Sequence, residues 1–361
     1  MEQGGPRDAL HDPAEDARTE TAVPLDAVHP ALPERSTGGS GKRGRLTRIR
    51  LRREATARRG FALPNDAEAT RTDYLYEDWT DGCIAVSNVG YPLGSTLVER
   101  RALEYASTFG LPVFLRPEDR HLRADGCVHE GAVSARLGLP SIPSAAESVA
   151  VARDLALAEH CDAKVHFRAL STLTAARMLT EAQAAGLNVT ADVAAHQLHL
   201  TEHDISNFNS DCHVIPPLRT QRDMEALRQA VADGTIDAIS SDHQPHDFDA
   251  KQSPFAGTEP GISALETYLP LCMRLQELTS ISLPELVTRM STSPASILGI
   301  DAGTLSVGAT ADICIYSDDD DWQLSQDNMV SQGKNTPFHG WEMQGEVRYT
   351  LLDGEVIYRK D

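Results

Sequence analysis

The chain has 361 residues and a formal net charge of −20, and it contains no apolar run of the roughly 18 residues that a membrane span needs. The length allows one large α/β barrel with a small satellite domain, or two ordinary domains, and the acidic charge argues against general nucleic-acid binding. Six dispersed cysteines without a CxxC pair predict neither a zinc knuckle nor a disulfide framework, and they favour buried, reduced thiols in a cytoplasmic protein. No apolar segment follows the initiator Met, so we expect no secretory signal.

The first segment, residues 1–72, lacks the periodicity of a folded domain. It is rich in Pro, Gly and charged residues, and we predict that it is disordered or weakly ordered. Within it, Lys42–Arg59 carries nine basic residues and one acidic residue. Such a segment is either a solvated tail or a basic arm that binds RNA or another phosphate-rich surface, and the acidic remainder of the chain favours the tail.

Strand and helix patterns alternate over residues 73–300, which predicts a mostly parallel α/β fold. Apolar runs predict strands at residues 83–86, 112–115, 164–167, 188–193 and 236–240. Amphipathic patterns predict a helix that Ser95 or Thr96 is expected to cap, and others over residues 145–159, 173–185, 221–232, 262–278 and 283–291. Ser144 and Glu147 have the spacing of a capping box, and residues 116–143 are expected to form an irregular loop.

The last segment, residues 301–361, predicts a small antiparallel β unit. Its strands are expected at residues 303–305, 311–316, 347–351 and 356–358, with a turn at Asp353-Gly354. The acidic run Asp318–Asp321 predicts a solvated loop.

The stretch Ser241–His246 has the clearest functional pattern in the chain. Asp242, His243 and His246 follow the strand predicted at residues 236–240. Barrel enzymes place catalytic groups at the C-terminal ends of their strands, and Asp and His are suited to metal binding or acid–base catalysis. Taken alone, the stretch indicates a hydrolase.

From about residue 81 onward the chain resembles the class I dihydroorotases of the amidohydrolase superfamily. The matching motifs, in chain order, are Arg101–Ala106, His129-Glu130-Gly131, Leu137–Pro143, Pro216–Arg219, Asp242–His246, Gly261–Glu266 and Lys334–Phe338. The resemblance covers more than three quarters of the chain. It implies a (β/α)8 TIM-type barrel, here without its first strands, and a small C-terminal β-sandwich portion. Residues 1–72 do not match the part of the family that supplies those strands, so the resemblance implies either that the strands are replaced or that the reading frame of this segment starts or shifts wrongly. A wrong reading frame is favoured, because missing strands would leave open sheet edges.

The resemblance also implies a zinc site, because zinc in that family lowers the pKa of a bound water and polarises the scissile amide carbonyl. In this chain Val89 stands where a carboxylate ligand is expected, and Arg116 and Ala169 stand where histidine ligands are expected. The early His-x-His pair is missing, and of the ligands only Asp242 is kept. By resemblance, Asp242 is a vestigial catalytic residue, His246 is a vestigial substrate contact, and no metal or other cofactor is predicted.

Loss of the ligands with retention of the barrel motifs resembles the noncatalytic dihydroorotase-like subunit that accompanies aspartate carbamoyltransferase in some bacteria. The segments Asp192–Ala194, His213-Val214 and Thr258–Gly261, together with Gln244, resemble that branch. The resemblance implies a structural subunit in pyrimidine biosynthesis, bound to aspartate carbamoyltransferase catalytic chains in an oligomer. The alternative is an active cyclic amidohydrolase that hydrolyses a ring amide C–N bond with an unusual set of metal ligands.

Structural roles compete with catalytic ones for several of these residues. Asp242 and His246 could form a hydrogen-bonded structural pair, and we expect His166 and His196 to be hydrogen-bonded histidines of the core. Glu118-Asp119 could act as a general-base pair, but the sequence favours a role in organising loops at the mouth of the barrel.

Overall fold

The computed structural model describes residues 84–88, 92–93 and 95–360, together with the backbone of residues 60–62. The predictions for Lys42–Arg59 and for Val89 lie outside the described residues. In the segment 1–72 the described part is the strand Gly60–Ala62, although the sequence predicted no regular structure there. The proposed domain boundaries stay predictions.

A parallel sheet of six strands forms the centre of the molecule. The strands before residue 241 are β1 (Gly60–Ala62), β2 (Ala85–Ser87), β3 (Val113–Leu115), β4 (Val128–His129), β5 (Ser141–Ile142), β6 (Val165–Phe167), β7 (Val189–Ala194) and β8 (Ala238–Ser240). The parallel sheet has the order β1-β2-β3-β6-β7-β8, and β4 and β5 pair separately. Consecutive strands of the parallel sheet are neighbours, as they are in a (β/α)8 barrel.

The longer helices pack on this sheet through the apolar residues that they bury. The helices are α1 (Thr96–Thr108), α2 (Arg120–Arg123), α3 (Ala132–Leu137), α4 (Ala145–Cys161), α5 (Leu173–Ala184), α6 (Gln221–Asp233), α7 (Leu265–Leu278), α8 (Leu283–Val287) and α9 (Ser293–Leu298). Residues 116–143 are not an irregular loop as predicted, since they contain α2, α3 and the β4–β5 pair. The helix predicted over residues 283–291 ends as α8 at Val287, and a π-helical turn at Thr288–Thr292 joins α8 to α9.

The capping box predicted at the start of α4 is wrong. Ser144 has helical backbone angles and its side chain makes no capping hydrogen bond. Glu147 is buried, and its carboxylate accepts hydrogen bonds from Ser171 and Thr172, which lie on the loop between β6 and α5. The local pattern is therefore overridden by a tertiary contact. At α1 the expected cap is confirmed, because the Ser95 side chain accepts a hydrogen bond from Val98 N.

The C-terminal residues form a three-stranded antiparallel sheet with the order β11-β10-β9, made of β9 (Ile313–Gln323), β10 (Glu342–Leu352) and β11 (Glu355–Arg359). The loop predicted at Asp318–Asp321 is wrong, since these residues belong to β9. Arg348 on the neighbouring strand pairs with Asp320 and supplies a cross-strand countercharge. Asp353 and Gly354 have φ values of 51° and 81°, which confirms the predicted two-residue turn. Residues 303–305 are not in a strand.

Five cysteines in the described residues are free thiols. Cys127, Cys212 and Cys272 are buried as expected and Cys161 is half-buried, but Cys314 is exposed because β9 is an edge strand. Among the helices of the described residues, none has the length and apolar character that a membrane span requires.

Candidate functional site

Polar side chains collect where the strands of the parallel sheet end. We call this group the mouth, and it consists of Asn88, Arg116, Arg168, His196 and Asp242, which follow β2, β3, β6, β7 and β8. Because the strands are parallel, their C-terminal ends meet at one edge of the sheet. Backbone bonds fix this edge: Asn88 N donates to Phe114 O at 3.2 Å, and Arg168 N donates to Leu115 O at 2.8 Å.

Arg116 occupies the position at which the resemblance expects a histidine ligand. The buried amide of Asn88 donates from Nδ2 to Arg116 O at 3.2 Å and accepts at Oδ1 from Arg116 N at 3.0 Å. Burial lowers the pKa of Arg116, while the charges of Glu118 and Asp242 oppose this shift. A guanidinium remains charged in proteins, so Arg116 is a fixed cation whose charge interacts with that of Asp242.

Glu118 and Asp119 organise the loop after β3, as expected. Glu118 is buried, and its carboxylate pairs with Arg123 at 3.3 Å and with Arg116 at 3.8 Å. Asp119 Oδ1 accepts from His121 N and Leu122 N, which caps α2. Both carboxylates therefore make loop contacts, Glu118 through Oε1 and Asp119 through Oδ1.

Asp242 lies at the end of β8 in a strained backbone conformation. Its φ of 45° is in the left-handed region, which non-glycine residues adopt rarely and mainly where surrounding structure enforces it. The carboxylate is half-buried, and its Oδ1 accepts from Gln244 Nε2 at 3.0 Å.

Ala169 also has a positive φ, of 52°, and its side chain offers no ligand atom. Its backbone N donates to Asp192 Oδ1 at 3.0 Å. The same carboxylate accepts from Ser240 Oγ at 2.8 Å and contacts His166 Nε2 at 3.0 Å. Burial raises the pKa of Asp192, but the His166 hydrogen bond and charge, with the charge of Arg168, lower it overall. Asp192 therefore ties β6, β7 and β8 together and has little capacity left for another ligand.

The two core histidines differ from each other. His166 is hydrogen-bonded through both ring nitrogens, to Thr190 and Asp192, which confirms the expectation. His196 is only 2% exposed, and its Nδ1 has no hydrogen-bond partner. Burial lowers the pKa of His196, and the nearby charge of Asp242 opposes the shift. The expectation of a fully hydrogen-bonded core histidine is thus wrong for His196.

Hydrogen bonds of His243 and His246 hold the loop that carries Asp242. His243 Nδ1 accepts from Ala264 N at 3.0 Å and from Leu265 N at 3.3 Å, so it caps the start of α7. His246 Nε2 bonds to Pro260 O at 2.9 Å, and His246 N donates to Asn335 Oδ1 at 2.8 Å. His246 is therefore part of the loop framework, and its predicted role as a substrate contact stays a prediction.

A buried network lies beneath the mouth, and sequence reasoning did not find it. Arg219, only 3% exposed, donates from Nε to Ser171 Oγ at 3.0 Å and from Nη1 to Ile142 O at 3.1 Å. Arg219 Nη1 lies 3.2 Å from His129 Nδ1, and burial together with the Arg219 charge lowers the pKa of His129 to about 4. Arg219, Ile142 and His129 come from three of the family motifs, so these three motifs meet in one hydrogen-bonded network.

The described residues do not fit a catalytic zinc ion. Such a site needs about three protein ligands, whereas the described ranges contain no group of three His, Cys, Asp or Glu residues that could hold a metal. Asp242 is the only expected ligand present among them, Asp192 is already hydrogen-bonded, and the guanidinium of Arg116 would repel a cation. The described residues therefore support no catalytic step through zinc.

Comparison with known proteins identifies the family. Residues 119–357 match the model of the amidohydrolase family, which is more than half of the chain. The chain is 44% identical over 280 residues to a dihydroorotase of Syntrophus aciditrophicus and 46% identical over 277 residues to a dihydroorotase-like protein of Pseudomonas aeruginosa. These alignments cover 78% and 77% of this chain, and 66% and 65% of the two relatives. The chain thus spans just under two thirds of the length of these relatives.

Solved structures show the same fold. An L-hydantoinase (dihydropyrimidinase) from Arthrobacter aurescens superimposes with a TM-score of 0.72 at 22% identity, covering 83% of this chain and 69% of that one. A dihydropyrimidinase from Brevibacillus agri gives a TM-score of 0.71 at 22% identity over the same shares. The predicted TIM-type barrel with antiparallel C-terminal strands is confirmed. The chain belongs to the amidohydrolase family, and its curated relatives bear out the resemblance to dihydroorotases.

Proposed function

We propose that the chain is a catalytically degenerate dihydroorotase homologue. The observation that carries this proposal is the guanidinium of Arg116, which follows β3 at a position where the resemblance expects a metal ligand. Ala169 supports it, because this residue offers only its backbone at the end of β6. A barrel that lacks a Lewis acid cannot ionise a water or polarise an amide by the zinc mechanism.

We further propose that the chain is a structural subunit for an assembly with aspartate carbamoyltransferase catalytic chains in cytoplasmic pyrimidine biosynthesis. Support comes from the resemblance to the noncatalytic branch and from relatives of Pseudomonas putida and Pseudomonas aeruginosa, each named a dihydroorotase-like protein and each 46% identical. Retention of a well-packed barrel without its metal ligands is what selection for assembly alone would leave.

A second candidate is an active cyclic amidohydrolase with an unusual metal set. It is favoured by similarity to proteins named dihydroorotase, such as those of Syntrophus aciditrophicus at 44% and Geobacter sp. at 43%. These identities are close to those of the dihydroorotase-like proteins, so similarity alone does not separate the two candidates.

Metal content and turnover separate them. The full chain is co-expressed with the aspartate carbamoyltransferase of the same source, purified, and assayed for zinc and for interconversion of dihydroorotate and carbamoyl aspartate. We expect substoichiometric zinc, no turnover, and one large particle that contains both proteins on gel filtration. Stoichiometric zinc together with turnover would refute the degenerate homologue, and separate elution would refute the structural subunit.

Any turnover that is found can be assigned with two variants of one loop. Asp242→Ala removes the retained ligand, whereas Asp249→Ala removes an exposed carboxylate a few residues away. An active amidohydrolase would lose its rate in the first variant and keep it in the second. Equal rates in both would assign the activity to a contaminant.

A further inference from the structure

Arg168 is the charged residue of the mouth whose guanidinium has no partner among the described residues. Its side chain is half-buried at the end of β6, and among the described residues its guanidinium forms no hydrogen bond and no ion pair. Holding a charge partly out of water without a partner is unfavourable, because the lost hydration is not replaced. The group is therefore in a position to gain stability from an anion.

Strand register places Arg116 beside Arg168. Leu115 pairs with Phe167 across β3 and β6, so the next residue on each strand is an arginine. Neighbouring strands are about 4.8 Å apart, and Arg168 N donates to Leu115 O at 2.8 Å. The charge of Arg168 contributes to the lowered pKa of Arg116, which places the two guanidinium groups within electrostatic reach of each other.

Among the described residues, the acidic side chains near this pair are engaged in other contacts. Glu118 is closest to Arg123, at 3.3 Å, and 3.8 Å from Arg116. Asp192 accepts from Ala169, Ser240 and His166, as described above. Asp242 accepts from the amide of Gln244. None of these carboxylates lies within ion-pair distance of Arg168 in the described residues.

We propose that the mouth binds a small oxyanion, a carboxylate or a phosphate, between Arg116 and Arg168. Guanidinium groups present planar donor pairs that match both kinds of oxyanion. The buried, unpartnered Nδ1 of His196 supplies a further polar atom on the neighbouring part of the mouth. Two arginines in place of a metal can hold an anionic ligand but cannot activate water, so the mouth becomes a binding site without hydrolysis.

This inference rests on one part of the proposed function, namely that zinc does not occupy the mouth. It does not depend on assembly with a transcarbamoylase. The zinc assay and the binding assay below therefore fail separately.

The test is isothermal titration calorimetry on the full chain after chelator treatment and dialysis. The probes are inorganic phosphate and succinate, with succinamide as the uncharged counterpart of succinate and sodium chloride holding the ionic strength constant. We expect saturable binding of at least one anion and none of succinamide. Phosphate alone would point to a phosphorylated ligand, and succinate alone to a carboxylate metabolite.

The variants are Arg168→Gln and the matched control Arg177→Gln, which changes an arginine 70% exposed on α5. Loss of a charge-assisted contact should weaken binding by about tenfold or more in the first, and the control should bind as the parent chain does. If Arg168→Gln does not fold by circular dichroism, Arg168→Lys keeps the charge but not the donor fork and should bind several-fold more weakly.

Three results would overturn the inference. They are parent-like binding in the Arg168 variant that folds, succinamide binding as tightly as succinate, and no anion binding by the parent chain. Anion binding that appears only with stoichiometric zinc would overturn both this inference and the degenerate-homologue proposal. Absence of zinc without anion binding would overturn this inference alone.

Discussion

Replacing Glu147 should weaken the whole barrel, because this residue joins α4 to the loop that follows β6. Its carboxylate accepts from Ser171 N and Thr172 N at 3.0 and 2.9 Å, and from their hydroxyls at 2.5 and 2.7 Å. It also supplies a countercharge for the buried guanidinium of Arg219. Glu147→Ala leaves these donors and this charge unpaired in the core.

The magnitude follows from burial. Removing one partner of a buried charged network costs about 3–5 kcal/mol, and Glu147→Ala should lower the free energy of unfolding by about that amount. Glu147→Gln keeps the shape but turns an amide NH2 toward donors, so about 1–3 kcal/mol is expected. Glu159→Gln, on the exposed face of the same helix, should change stability by no more than about 0.5 kcal/mol.

Urea denaturation followed by circular dichroism and fluorescence measures these differences, provided that both probes give one transition. A loss below about 1 kcal/mol in Glu147→Ala would refute the reasoning. It would mean that water or rearranged hydroxyls replace the carboxylate, and that α4 starts independently of the β6 loop.

Two further predictions concern the loop after β8 and the response to pH. Gly261→Ala should destabilise the chain by more than about 2 kcal/mol, because its φ is 142° and a Cβ would lie 2.5 Å from Gln244 Cβ. Gly110→Ala, with φ of 67° and open space, should cost only about 1 kcal/mol, and equal losses would contradict the steric argument. Burial lowers the pKa of His213 from 6.5 to about 4. Between these pH values the unfolded chain therefore binds a proton at His213 that the folded chain does not bind. The free energy of unfolding should fall as pH drops from 6.5 to 4, and His213→Asn should flatten that slope in urea titrations.

Much of the fold could be predicted because its signals are local. Apolar runs gave the five strands β2, β3, β6, β7 and β8 to within a few residues, and amphipathic patterns gave the major helices. Glu147 shows where local reasoning fails. Its spacing from Ser144 satisfies a capping box, but in the fold its carboxylate accepts hydrogen bonds from Ser171 and Thr172, which are distant in sequence. The loop prediction for Asp318–Asp321 fails for a related reason. Arg348 on β10 supplies a countercharge that makes a strand compatible with an acidic run.

The location of the site could also be predicted, because the residue after a parallel strand must lie at the C-terminal edge of the sheet. This rule places Arg116, Ala169 and Asp242 at the mouth from sequence alone. The same rule applies to Arg168, because it follows the strand predicted at residues 164–167.

The sequence by itself determined the barrel, the family and the residues that stand at the positions where the resemblance expects ligands, because each depends on residue type and order along the chain. Only the tertiary structure decided which charges are satisfied. Asp192 is saturated by groups from β6, β8 and the backbone, whereas Arg168 and the Nδ1 of His196 have no hydrogen-bond partner among the described residues. Hydrogen bonds and ion pairs act over a few ångströms, so partners separated by tens of residues become known only when the strands are packed side by side.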